Sequence, residues 1–126
     1  MSLPFWEEKC WGRVLHCFSS EQASVSYLEV LEGNQCSRHY HRWRANTFIV
    51  VSGMIVVEKW KQKDGSDQPT TTPLYPMDCC TVPSNQLHRF KVLESGTIIE
   101  VYFPDKVGCK VDLDDIERLD VGGPIR

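Results

Sequence analysis

The sequence predicts an all-β domain of the sandwich or barrel class, on three observations. Short β-rich runs recur along most of the chain, among them Val25–Leu31, Asn46–Ser52, Met54–Trp60, His88–Leu93 and Thr97–Phe103. Turn residues separate them at regular intervals, which is how antiparallel sandwiches and barrels are punctuated. The only helix candidate in the second half of the chain, Asp112–Leu119, is short. At 126 residues and 14.5 kDa the length fits a single domain over residues 1–126. A chain of this size buries roughly two-thirds of its unfolded surface, enough for one core.

Taken in order, Trp6 and Trp11 fit packing for an N-terminal arm, and His16 has no partner at ligand spacing, so it is assigned a structural role. Gly53 places a tight bend between the strands Asn46–Ser52 and Met54–Trp60. Lys59–Pro73 is the one long polar stretch; Asp64-Gly65 is a turn signal, Gln68–Pro73 fits a loop, and the whole is an extended hairpin tip. Thr81-Val82 precedes Pro83, and Glu94-Ser95-Gly96 is a turn before the last strand. Asp112–Leu119, with acids in its first turn, predicts a short C-terminal helix or turn ended by Val121-Gly122-Gly123-Pro124.

Composition narrows the function. Charged residues make up 25% and hydrophobic residues 41%, ordinary globular usage that argues against disorder. A net charge of −3 and a pI near 5.8 argue against a broad electrostatic nucleic-acid binder. The apolar runs Phe48–Val51 and Met54–Val57 are far too short to span a bilayer. The opening residues lack a basic start and an apolar signal core, so a cytoplasmic location is expected. The six cysteines, Cys10, Cys17, Cys36, Cys79, Cys80 and Cys109, form no CxxC and are expected as free, partly buried thiols. No GxSxG, P-loop or GxGxxG occurs.

The histidines carry the chemistry. His39 and His41 stand at i, i+2, which on a strand puts both rings on one face, roughly 7 Å apart along the chain. Such a pair is by itself weak evidence, because paired strand histidines are commonly solvated or hydrogen-bonded. His88 follows the Pro83–Leu87 turn, and if its strand neighbours the first its ring supplies a third ligand. Three neutral imidazoles with an open position make a catalytic-type site for a first-row metal.

The spacing around the pair sharpens this. Gly33, five residues, His39-Tyr40-His41, four residues, Asn46, six residues and Gly53 resemble the first motif of the cupin superfamily. Met77, Pro83, Asn85, His88 and Val92 stand at the positions of its second motif, where the proline and histidine match and the two glycines and final asparagine do not. The motifs cover about 33–53 and 77–92. The resemblance implies a cupin barrel, a double-stranded β-helix or jelly roll, with metal ligands His39, His41, Asn46 and His88. Asn46 stands where the family usually has glutamate, and its amide oxygen is a neutral, weaker donor. Zinc, nickel, copper or ferrous iron suit three imidazoles better than manganese does. A narrower resemblance links His39–Arg42, Thr47–Gly53, Ile99-Glu100-Val101 and Asp114–Arg118 to the small cupin domain of type II mannose-6-phosphate isomerases.

Around this centre, Gln86 and Glu100 are reserve oxygen donors, with Glu100 either on the solvent face or inside the barrel, where it is the candidate catalytic base. By parity Arg38, Tyr40 and Arg42 face away from the histidines. Arg44 and Arg89 are candidates for anion capture at the barrel mouth, and Phe48 and Phe90 share parity with Asn46 and His88 as cavity lining. Tyr40, Tyr75, Tyr102 and Phe103 join the core or lining. Two function classes remain open: a metal-dependent enzyme, isomerase-like or other, on a small polar or anionic substrate such as a sugar derivative, and a non-catalytic module that holds a small ligand. A purely structural dimerisation barrel is a weaker third. Neither nucleic acid nor membrane is an expected partner; a homodimer is, since exposed sheet edges invite pairing.

Overall fold

The computed structural model describes residues 2–126. Eleven strands form one antiparallel sheet that folds over on itself, and no helix occurs among the described residues. The strands are β1 (Phe5–Lys9), β2 (Gly12–Ser19), β3 (Ser24–Val30), β4 (Asn34–Gln35), β5 (His39–Tyr40), β6 (Ala45–Trp60), β7 (Thr70–Leu74), β8 (Cys79–Val82), β9 (Leu87–Phe103), β10 (Glu117–Arg118) and β11 (Gly123–Pro124).

Two long strands organise everything else. β6 and β9 pair along nearly their whole length, from Ala45↔Phe103 to Trp60↔Leu87, with the register slipping between Val50 and Ile55. That irregularity divides the sheet in two. The first half of β6 and the second half of β9 carry β8 on one side and β3, β2 and β1 on the other. The second half of β6 and the first half of β9 carry β7 on one side and β4 and β5 on the other, with β11 and β10 outside them. The two halves face each other across the core.

The bend explains why two expectations from the sequence shift. Gly53 lies within β6 at φ +81°, and Gly96 lies within β9 opposite it, so neither Gly53 nor Glu94-Ser95-Gly96 separates two strands. A Cβ on Gly96 would fall 2.1 Å from the Ser52 carbonyl oxygen, and one on Gly53 2.7 Å from the Glu94 and Ser95 oxygens. The backbones touch where the sheet folds, and only missing side chains permit it.

Three other expectations change. Thr70–Leu74 is a strand on Ile55–Lys59, so the polar loop is shorter than Lys59–Pro73 and Gln68–Pro73 is not all loop. The arm around Trp6 and Trp11 is a regular hairpin, β1–β2, with Trp11 buried against the Phe90 ring at 5.2 Å. Of the alternatives for Asp112–Leu119, the turn forms. Asp112 Oδ1 accepts from the Asp114 amide, and the Asp112 carbonyl accepts from the Asp115 amide. Short acidic side chains compete with helix hydrogen bonds in this way, and Glu117–Arg118 goes on to pair with Tyr40 and His39.

Inward-facing residues fall in transverse rows. Val14, Leu28, Ile98 and Val50 sit opposite one another across β2, β3, β9 and β6, and close one end of the interior with apolar side chains. The next inward row is Phe5, His16, Ser26, Glu100 and Phe48, and the row after it brings Ser24, Tyr102, Asn46 and Val82 together. The interior therefore passes from an apolar plug to a polar chamber within a few residues along each strand.

At the two positions where the second motif lacks its glycines the backbone still has positive φ, +74° at Met77 and +65° at Asn85. Asparagine tolerates this region and methionine does not. Exposure of the Met77 side chain keeps its cost local. All six cysteines are free. Cys36 is buried, and burial pushes its thiol up to about 12, which makes it inert.

We expect Gly96→Ala to lower stability by at least about 2 kcal/mol, since backbone must move to admit the methyl group. Urea denaturation measures this, and a change within ~0.5 kcal/mol would show that the fold line is not tightly packed.

Candidate metal centre

His39 and His88 are direct cross-strand partners, and their ring centroids lie 4.5 Å apart. His41, just beyond β5, brings its ring to 5.0 Å from His39 and 5.5 Å from His88. One nitrogen from each of the three falls within 4.8 Å of the others. Antiparallel pairing thus does what the sequence reading required of it, joining residues 39, 41 and 88 at one point.

The second nitrogen of each ring fixes the chemistry of the first. His39 Nδ1 donates to the Ser37 carbonyl at 2.8 Å, His41 Nδ1 to the Asp115 carbonyl at 2.7 Å, and His88 Nδ1 to the Gln86 carbonyl at 2.8 Å. A carbonyl only accepts, so each imidazole carries its proton on Nδ1 and directs a lone pair from Nε2. Nε2 of His41 and of His88 is buried without a hydrogen-bond partner among the described residues. Metal-ligating histidines are held in this way.

Burial keeps the rings neutral. It pushes His41 down to about 3, with the Arg44 charge adding to it, and His88 down to about 4. His39 falls well below its ordinary value through burial and the neighbouring imidazoles.

Asn46 is fully buried on β6; its Nδ2 donates to Glu100 Oε2 at 2.9 Å, and its Oδ1 has no partner among the described residues. Glu100 lies inside the barrel, which resolves the alternative left open by the sequence. Burial raises its carboxyl above the usual range, while Tyr102, the Arg44 charge and the Asn46 amide pull it back. Arg44 is buried too. Its guanidinium stacks 3.9 Å from the Tyr102 ring centroid, Nη1 donates to the Asp112 carbonyl at 2.7 Å, and Nε is unpartnered.

Arg44, Glu100 and Tyr102 line a cavity of about 840 Å³ with His39, Phe48 and Phe90, and with Lys9 and Arg118 from flanking segments, while His41, His88 and Asn46 are not part of its lining. Of the proposed ligand-contacting residues, Arg44, Phe48 and Phe90 reach the cavity and Arg89 does not. Next to inward-facing His88, Arg89 turns outward by strand alternation and binds Glu58 Oε1 at 2.8 Å. Gln86, the other reserve donor, spends its amide on the Trp60 and Leu87 carbonyls. Arg38 and Arg42 face away as parity predicts, paired with Asp120 and Glu117. Sequence reasoning missed a pair at the cavity wall: His16 Nε2 bonds Glu7 Oε1 at 2.8 Å. The alternation of Trp6 against Phe5 and Glu7, and of Leu15 against Val14 and His16, was the available signal.

The metal-free protein should lose stability as pH falls. Unfolded histidines take up protons below about 6.5 while folded His41 and His88 stay neutral, so between pH 7 and pH 5 each withdraws roughly 2 kcal/mol. Glu100 acts in the opposite direction, since its folded carboxyl is protonated first as pH falls. The expected net loss at pH 5 is about 2 kcal/mol or more by urea unfolding; equal stability at both pH values would contradict buried neutral imidazoles.

No family model matches the sequence, and no curated protein does. Solved structures do match. The Streptomyces protein PAC13 with uridine is 17% identical with a TM-score of 0.72, over 94% of this chain and 85% of that one. KdgF from Halomonas sp. is 17% identical with a TM-score of 0.67, over 81% and 89%. Oxalate decarboxylase from Bacillus subtilis is 16% identical with a TM-score of 0.73, over 92% of this chain and 30% of that one, so the chain spans less than a third of that enzyme. At such identities the likeness is one of architecture, and the architecture is the cupin barrel.

Proposed function

We propose that the chain is a single cupin domain that holds a divalent transition metal at His39, His41, His88 and Asn46, and acts as a metal-dependent enzyme on a small polar or anionic molecule such as a sugar derivative. One observation carries this reading: buried lone pairs without donors among the described residues, on Nε2 of His41 and His88 and on Asn46 Oδ1, next to a cavity that His39, Arg44 and Glu100 line. Leaving such acceptors buried and unsatisfied costs about 1–3 kcal/mol each, and a cation satisfies several together. The donor set suits zinc, nickel, iron or copper. A metal bound there would supply Lewis acidity toward a carbonyl or hydroxyl oxygen.

The chain's own residues do the rest. Arg44 offers its free Nε to a carboxylate or phosphate, and its stacking on Tyr102 fixes the direction of approach. Phe48 and Phe90 keep water from one wall. Glu100, with its carboxyl raised by burial, takes a proton from a carbon or hydroxyl of the substrate and returns it to a neighbouring atom, the transfer an isomerase needs. The likeness to type II mannose-6-phosphate isomerases supports a sugar phosphate within this class. Oxalate decarboxylase and the uridine-bound Streptomyces protein show by their names that barrels of this shape admit compact polar molecules.

A second reading is a non-catalytic ligand-binding module, favoured by Asn46 in place of the family's glutamate. We further propose a cytoplasmic homodimer. Edge strand β1 and the exposed Trp6, Val51 and Leu93 support the pairing. Among the described residues no helix is long and apolar enough to cross a membrane.

Protein purified without added metal should carry about one divalent ion per chain by elemental analysis, and His88→Ala should lose it while remaining folded. Absence of metal in the wild type, with anion binding retained and lost in Arg44→Ala, would select the binding module. Equilibrium sedimentation should give twice the chain mass; a 14.5 kDa species alone would refute the dimer.

A further inference from the structure

Asn46 raises a question that the ligand set alone does not answer. An amide presents either an acceptor or a donor to a given point, and only the acceptor serves a metal. Asn46 lies opposite Tyr102, whose ring is 5.4 Å from that of His41, and two residues from Phe48, whose ring is 6.4 Å from that of His88. It therefore stands among residues whose rings pack on the imidazoles. It also meets Glu100, whose Oε2 accepts from Asn46 Nδ2 at 2.9 Å. Glu100 in turn is held inside by the row His16, Ser26, Glu100, Phe48.

We propose that Glu100 is the positioning residue of the metal centre: by claiming Nδ2 it turns Asn46 Oδ1 toward the imidazoles. This rests on the metal-binding reading above. The partnerless state of Oδ1 is its structural sign, because an amide free to choose would not leave its oxygen buried and unsatisfied. A rotated amide would set Oδ1 against the Glu100 carboxyl oxygen and leave Nδ2 to bond an imidazole, an arrangement that binds no ion.

The arrangement makes the ligand and its carboxylate one functional unit. Loss of either should have the same consequence at the metal, and loss of both no further one. Outer partners of metal ligands typically contribute 10- to 100-fold in affinity.

The test uses Co²⁺ as probe, titrated into the metal-stripped full chain and followed by its visible absorption and by competition with a chelator. Asn46→Ala and Glu100→Ala should each weaken Co²⁺ binding roughly 10- to 100-fold and shift the absorption bands alike. The double variant should match the singles, and Glu100→Gln, which keeps an acceptor for Asn46 Nδ2, should restore the band positions and most of the affinity. Unchanged bands in Glu100→Ala, or losses that add in the double variant, would overturn the positioning role. Should the alanine variants not fold, Asn46→Asp decides: two facing carboxyl groups should destabilise the stripped protein and Co²⁺ should restore it. A stripped protein no less stable than wild type would overturn the proposal. Failure of the wild type itself to bind Co²⁺ would instead remove the metal reading and this inference with it.

Discussion

Three hydrogen bonds govern this interior, those from Nδ1 of His39, His41 and His88 to the carbonyls of Ser37, Asp115 and Gln86. They settle tautomer and ring direction together, so three lone pairs from separate parts of the chain face inward. Two of the acceptor carbonyls lie two residues before the histidine they serve, which ties ring orientation to local backbone shape. The third comes from 74 residues away. His41 is therefore oriented correctly only when the C-terminal segment is seated, and the centre is a property of the closed barrel rather than of any one strand.

The transverse rows give that centre its surroundings. Strand alternation sends one side chain in two inward, and pairing aligns the inward ones across the sheet. Sequence differences between successive rows therefore become layers. The layer of Val14, Leu28, Ile98 and Val50 is a plug, and two residues further along each strand the same face carries His16, Ser26, Glu100 and Phe48. Small Ser26 leaves room beside Glu100. Charge is admitted only where it has partners: Glu100 has Asn46, and Arg44 has Tyr102 and the Asp112 carbonyl.

What was legible in the sequence follows from range. The long strands between residues 25 and 103 showed in local alternation, whereas polar Thr70–Leu74 did not, and the histidine cluster showed because the spacing of His39, His41 and His88 survives in sequence. The fold-back was less legible. Gly53 and Gly96 look like turn residues, and only pairing reveals that each is the place where the other's backbone needs space. Arg89 was misplaced because its closeness to His88 along the chain outweighed the alternation that turns it toward Glu58. Glu100 could not be assigned to a face, since a carboxylate in an apolar run is equally consistent with solvent or a buried partner, and the partner, Asn46, is 54 residues distant.

The C-terminal segment shows how the barrel secures the centre from outside. Asp115 places both carboxylate oxygens on the amides of Arg42 and Trp43, 2.8 Å each, while its own carbonyl holds His41. One residue thus clamps the backbone just after His41 and the ring of His41 itself. Asp120 repeats the device on Arg38, accepting from its amide and from Nε at 2.7 Å. The two acids bracket β10, whose Glu117 and Arg118 pair with Tyr40 and His39, so the segment that carries two of the clustered histidines is held along its length. A helix over Asp112–Leu119 would commit these amides and carbonyls to one another. The extended, turn-rich path leaves them free to bond the histidine segment, so the departure from helix here is what completes the site.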